Sequence, residues 1–122
     1  MKIPDRNHPI ASAANPHRVT IRFAGRVIAD TRQALTLREA TLPPVQYIPR
    51  SDVDMTLLQR TPHHTTCPFK GEASYYTIRV GDRRAENAVW TYEGPYPAVA
   101  GIDSYLAFYP DRVDAIEEIP AS

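Results

Sequence analysis

The chain has 122 residues, enough for one domain that buries roughly two-thirds of its unfolded surface. Its 14 basic and 14 acidic side chains cancel, which removes the net field that would steer it toward nucleic acid or an anionic membrane. One cysteine excludes an internal disulfide and a multi-cysteine zinc site, and no apolar run approaches the roughly 18 residues of a membrane-spanning helix.

Residues Met1 to His8 lack the apolar stretch of a signal peptide, so the expected location is cytoplasmic. Tyrosines outnumber phenylalanines seven to three, which favours half-buried, strand-rich packing with hydroxyls near water. Residues 1–17, with Pro4, Pro9 and Pro16, read as an extended arm, or equally as a frayed terminus, ahead of a single domain over 18–122. Val19, Ile21 and Phe23 alternate with polar residues as a half-buried strand does, and Ala24-Gly25 turns it into Arg26 to Ala29, a hairpin. Leu35 and Leu37 suggest a third strand, although Ala34 to Ala40 suits a helix as well. Pro43-Pro44 ends it, and Val45 to Ile48 is a short extended piece.

One short helix is predicted from Ser51, an N-cap residue followed by Asp52 and Asp54 where the helix dipole favours negative charge. Val53 and Leu57 would share its buried face, and Thr61-Pro62 would end it. His63 to Gly71 then reads as a Pro-punctuated loop that gathers two histidines, the cysteine and Lys70. Tyr76, Ile78 and Val80 mark a strand that turns at Gly81-Asp82 into a partner ending Val89-Trp90-Thr91-Tyr92. Ala98 to Ile102 suggests one helical turn, Tyr105 to Tyr109 another strand, and Val113 to Ile119 the last. Connections this short imply antiparallel sheets.

Tyr47-Ile48-Pro49-Arg50-Ser51-Asp52-Val53, Thr65-Thr66-Cys67-Pro68-Phe69-Lys70-Gly71-Glu72-Ala73-Ser74-Tyr75-Tyr76, Ala88-Val89-Trp90-Thr91-Tyr92 and Tyr105-Leu106-Ala107-Phe108-Tyr109 follow one another in an order that resembles domain-of-unknown-function family 427. The likeness covers roughly residues 18 to 119. It implies a mainly β, β-tent-like pair of antiparallel sheets meeting at an angle, shared with the thalidomide-binding domain of cereblon and with B-type methionine sulfoxide reductases. Many β-tent proteins hold a structural zinc on two Cys-x-x-Cys pairs. This chain has neither pair, so a zinc-free version is implied. The family is sometimes filed under a nucleotidyltransferase heading and brings no established activity.

Nucleotidyl transfer needs carboxylates placed to hold paired magnesium ions and a loop that cradles phosphate. Asp52-Val53-Asp54 turns its acids apart on a helix, and no Gly-rich loop precedes one, so helix capping accounts for them better. Cys67 is a weak candidate for a catalytic nucleophile: His63, His64 and Lys70 lie near enough in sequence to lower its pKa. It precedes proline and has no partner cysteine, so a buried structural thiol is the competing account. No metal is expected, because His63 and His64, adjacent on an extended segment, point apart. No cofactor is expected either.

The aromatic residues suggest binding. Trp90 and Tyr92 share a strand face, and Tyr75 would stand beside them if its strand pairs across Gly81-Asp82. The reading is a small-molecule binding module for a small planar ligand, its pocket between the sheets walled by Tyr75, Trp90 and Tyr92, with His64, Thr65 and Lys70 as polar contacts. The dull alternative makes the aromatics plain core. The competing functions are a thiol-dependent enzyme using Cys67 and a structural or protein-interaction module. The chain is expected to be a monomer or homodimer without nucleic-acid or membrane partners.

Overall fold

The computed structural model describes residues 1–120, and alternation of apolar and polar side chains makes most of them strand. In chain order these are β1 (Ile10–Ala14), β2 (Arg18–Phe23), β3 (Arg26–Thr31), β4 (Leu35–Glu39), β5 (Val45–Tyr47), β6 (Leu58–Cys67), β7 (Gly71–Val80), β8 (Arg83–Tyr92), β9 (Leu106–Phe108) and β10 (Ala115–Ile119). They form three antiparallel sheets, ordered β1-β4-β5, β10-β2-β3 and β6-β7-β8-β9. One pair of hydrogen bonds between Ile48 and Leu106, 2.8 and 2.9 Å, stitches the end of β5 to β9. That bridge joins the first sheet to the edge of the third, and the fold is mainly antiparallel β, in three sheets.

The β2–β3 hairpin closes through Ala24 and Gly25 at φ 52° and 77°. Both central residues at positive φ is the type I′ geometry, which matches the twist of the strands it joins.

Three local expectations are corrected. The chain after Ser51 is not an α-helix: Arg50–Asp52 and Met55–Leu57 are separate 3-10 turns. Val53 between them is extended at φ −112°, ψ 137°, and bridges Ala29. The acids act locally, Asp52 accepting from the Thr31 hydroxyl at 2.7 Å and Asp54 from the Thr56 amide at 3.1 Å. A nucleating helix turn fixes many dihedrals for one hydrogen bond, and a bridge to β3 wins over so short a run. Second, His63 to Cys67 is not loop but the end of β6, where residues 64–67 pair with β7; only Pro68 to Lys70 turns. Pro62 falls in the irregular stretch of β6 between Arg60 and His64, where a missing N–H costs nothing. Third, the N-terminal arm is partly built into the domain, since β1 pairs with β4 along its length.

Two cores pack on opposite faces of the four-stranded sheet. One joins Tyr76, Ile78, Val89 and Phe108 to Val19, Ile21, Phe23 and Ile28 of β2 and β3. The other joins Ala73, Tyr75, Tyr92 and Ala107 to Leu37 and Tyr47, and is closed by Val99 and Ile102 of a 3-10 turn over Pro97–Ile102.

Candidate functional site

Register sets the aromatic group. Tyr75 stands directly opposite Trp90, and Ala73 opposite Tyr92, so Tyr75, Trp90 and Tyr92 share one face of the sheet. The Trp90 indole donates to the Tyr47 hydroxyl at 3.2 Å and packs at 4.5 Å against Tyr109. The Tyr75 hydroxyl bonds Thr65 at 2.8 Å and Tyr109 at 3.3 Å, and its ring meets His63 edge-on at 4.5 Å. Burial pushes the hydroxyls of Tyr47 and Tyr92 well above their ordinary range, and for Tyr47 the indole bond only partly offsets it. Tyr109 is pushed up to about 12, by burial and then by its contact with Tyr75.

The strand alternation that unites these residues separates others. Thr65 pairs with Ala73 and joins the aromatic face, whereas His64 pairs with Ser74 and lies on the other. There His64 Nδ1 is 3.5 Å from Ser74 Oγ and from Glu72 Oε1. Lys70 is buried rather than at a pocket mouth. Its ammonium pairs with Glu39, whose second oxygen takes a 2.8 Å bond from His8. His8 in turn stacks on Phe69 at 4.1 Å. Burial alone would raise the Glu39 carboxyl, but hydrogen bonds from Lys70 and His8 outweigh it and hold the carboxyl below its usual range. Cys67 is half-buried and packs against the second core. Among the described residues it has no hydrogen bond to His63, His64 or Lys70, whose side chains are engaged with Tyr75, Ser74 and Glu39 respectively. No cluster of three or more His, Cys, Asp or Glu placed to hold a metal ion occurs among the described residues.

A cavity of about 280 Å³ lies at the edge of this aromatic group. It opens where β5 and β9 diverge beyond the Ile48–Leu106 bridge, with Pro44, Val45 and Gln46 on one side and Phe108 and Pro110 on the other. Pro44 and Pro110 flank this opening and have no N–H to donate across it. Ile21 and Ile116 come from the β10-β2-β3 sheet, Trp90 forms a wall, and Glu118 and Gln46 supply the polar atoms. Of the residues read from the sequence as pocket walls, Trp90 lines this space; Tyr75 and Tyr92 are packing behind it.

The lining residues other than Trp90 are not legible in the sequence, because they come from four segments far apart in the chain. Pro43-Pro44 and Pro110, beside the ends of β5 and β9, are the one local signal. A second, more polar hollow of about 310 Å³ shares Pro44, Gln46 and Glu118 with the first and adds Asn15, His17, Thr36 and Arg38. Asn15 braces the shared wall, donating to Gln46 at 3.0 Å and to Glu118 at 2.7 Å.

A family model described as a domain of unknown function (DUF427) matches residues 11–119. It begins within β1, which places that strand inside the matched region along with the rest of the fold. No curated protein matches the chain. No helix of the described residues is long and apolar enough to cross a membrane.

Proposed function

We propose that the chain, which belongs to domain-of-unknown-function family 427, is a cytoplasmic small-molecule binding module whose site is the cavity walled by Trp90. The observation that carries this reading is the cavity itself: about 280 Å³ of mostly apolar space between the sheets, with a tryptophan wall and only Gln46 and Glu118 as polar lining. An apolar concavity with few, fixed polar groups is what small ligands occupy. The indole N–H is already given to Tyr47, so Trp90 offers its ring and not a hydrogen bond, which suits a compact planar molecule. Thiol chemistry has less support, since the groups that would activate Cys67 are engaged elsewhere.

A thermal-shift screen of planar compounds tests it. A ligand at 100 times its dissociation constant contributes about 2.7 kcal/mol. At about 2.1 cal/mol/K per residue of unfolding entropy, that raises Tm by about 10 °C for this chain. The shift should vanish in Ile116→Trp, which fills the cavity. A hit that keeps its full shift in that variant would move the ligand elsewhere, and a screen without hits would remove the reading.

A further inference from the structure

The two adjoining hollows share a carboxylate, and the second adds a guanidinium; this deepens the proposed binding reading, on which it rests. The shared wall holds Glu118. One of its carboxylate oxygens accepts from Asn15 at 2.7 Å, and among the described residues the other accepts no hydrogen bond. The polar hollow beyond it holds Arg38, which among the described residues makes neither an ion pair nor a side-chain hydrogen bond. His17 lines the same hollow and buries Nδ1 with no partner among the described residues. Both lone pairs of the Gln46 carbonyl oxygen are taken by Asn15 and Thr36 at 3.0 and 2.8 Å, so its amide nitrogen is the atom left to donate. A ligand spanning both hollows therefore meets an apolar chamber, a carboxylate at the threshold and a guanidinium outside it.

We infer that the ligand is a free α-amino acid with a ring side chain. The ring enters the chamber against Trp90, the ammonium meets Glu118, and the carboxylate meets Arg38. A simple planar cation would satisfy Glu118 and leave Arg38 unused. A simple aromatic acid would place its charge beside Glu118 with nothing to neutralise that carboxylate. A molecule carrying both signs beside its ring satisfies both.

Calorimetry of the intact chain, read together with the Trp90 indole N–H resonance, decides it. Trp90 is the single tryptophan, so the signal is unambiguous. The probes are L-phenylalanine, L-tyrosine and L-histidine, with 2-phenylethylamine, 3-phenylpropionate and phenol as controls. The expected result is that one or more of the amino acids binds and shifts Trp90, with at least tenfold weaker binding of the controls that lack the carboxylate or the ammonium. Glu118→Gln and Arg38→Met, both at exposed positions, should each bring the amino acid down to the level of the matching control. If the amine, the acid and phenol bind as tightly as the amino acids, the inference is overturned and the cavity reading stands. If none of the probes moves Trp90, the inference is overturned, and the cavity reading is decided by the planar-compound screen with its Ile116→Trp control.

Discussion

Replacing Lys70 with methionine isolates the buried charge cluster that anchors the turn between β6 and β7. Lys70 and Glu39 are each 8% exposed, and beside their ion pair Glu39 has a hydrogen bond with His8 at 2.8 Å. Breaking a buried pair by removing one partner costs about 3–5 kcal/mol, because the survivor is left charged in a poor solvent. Glu39 keeps His8, so the lower end, about 3 kcal/mol, applies; at about 2.1 cal/mol/K per residue that is about 12 °C in Tm. The pH dependence is the sharper test. In the native chain the Glu39 carboxyl is held below its ordinary 4.5, so its contribution is complete above that value and is lost as pH falls through the folded pKa. In Lys70→Met, burial dominates and the carboxyl rises, so the variant sheds its penalty by taking a proton as pH falls. The gap between the two proteins should therefore close between pH 7 and pH 4, measured by urea denaturation at each pH. Adding Glu39→Gln to Lys70→Met should recover much of the loss at neutral pH. A deficit under about 1 kcal/mol, or one that stays constant over this pH range, would refute the assignment of a buried, hydrogen-bonded pair.

Three further outcomes follow from the geometry. In an ultraviolet pH titration, Tyr47, Tyr92 and Tyr109 should ionise well above 10.0 while the protein is folded; because their folded pKa values are raised, stability should decline as pH climbs past that value, and a single tyrosinate transition near 10 for all seven in the native state would contradict their burial. Gly71→Ala should cost about 1–3 kcal/mol in denaturant melts, since Gly71 sits at φ +110° and the added methyl would meet Tyr96 only at ordinary contact, 3.7 Å; an unchanged midpoint would show that the turn relaxes freely. Cys67→Ser should leave ligand affinity within about twofold and change stability by about 1 kcal/mol, whereas a lost catalytic activity in that variant would revive the thiol reading.

What the chain announces locally, the fold mostly honours. The hairpins at Ala24-Gly25 and Gly81-Asp82 formed where Gly-containing turns separate alternating runs, and Leu35 and Leu37 resolved as strand β4. The shared face of Tyr75, Trp90 and Tyr92 follows from strand parity and the β7–β8 register. The errors arose where local chemistry was ambiguous. Ser51, Asp52 and Asp54 are good capping residues, but caps serve 3-10 turns and bridges as readily as α-helices. The His63–Cys67 run carries prolines on either side, which suggests a loop and one site for His64 and Thr65. Once the run is paired as strand, adjacent residues must face opposite ways, and His64 leaves the group.

The sequence by itself determined the chain's class: mainly antiparallel β, neutral, with one thiol and a family signature in its Cys-Pro-Phe-Lys-Gly and aromatic strings. These properties are carried by composition, by a two-residue period and by short turns, all of which are local. Only the tertiary structure decided that Lys70 is spent on Glu39 across 31 positions, that β1 closes a sheet, and that a cavity opens where β5 and β9 part after one bridge. Burial, charge pairing and the failure of a ladder depend on which distant segments meet, and no local pattern in one chain records that.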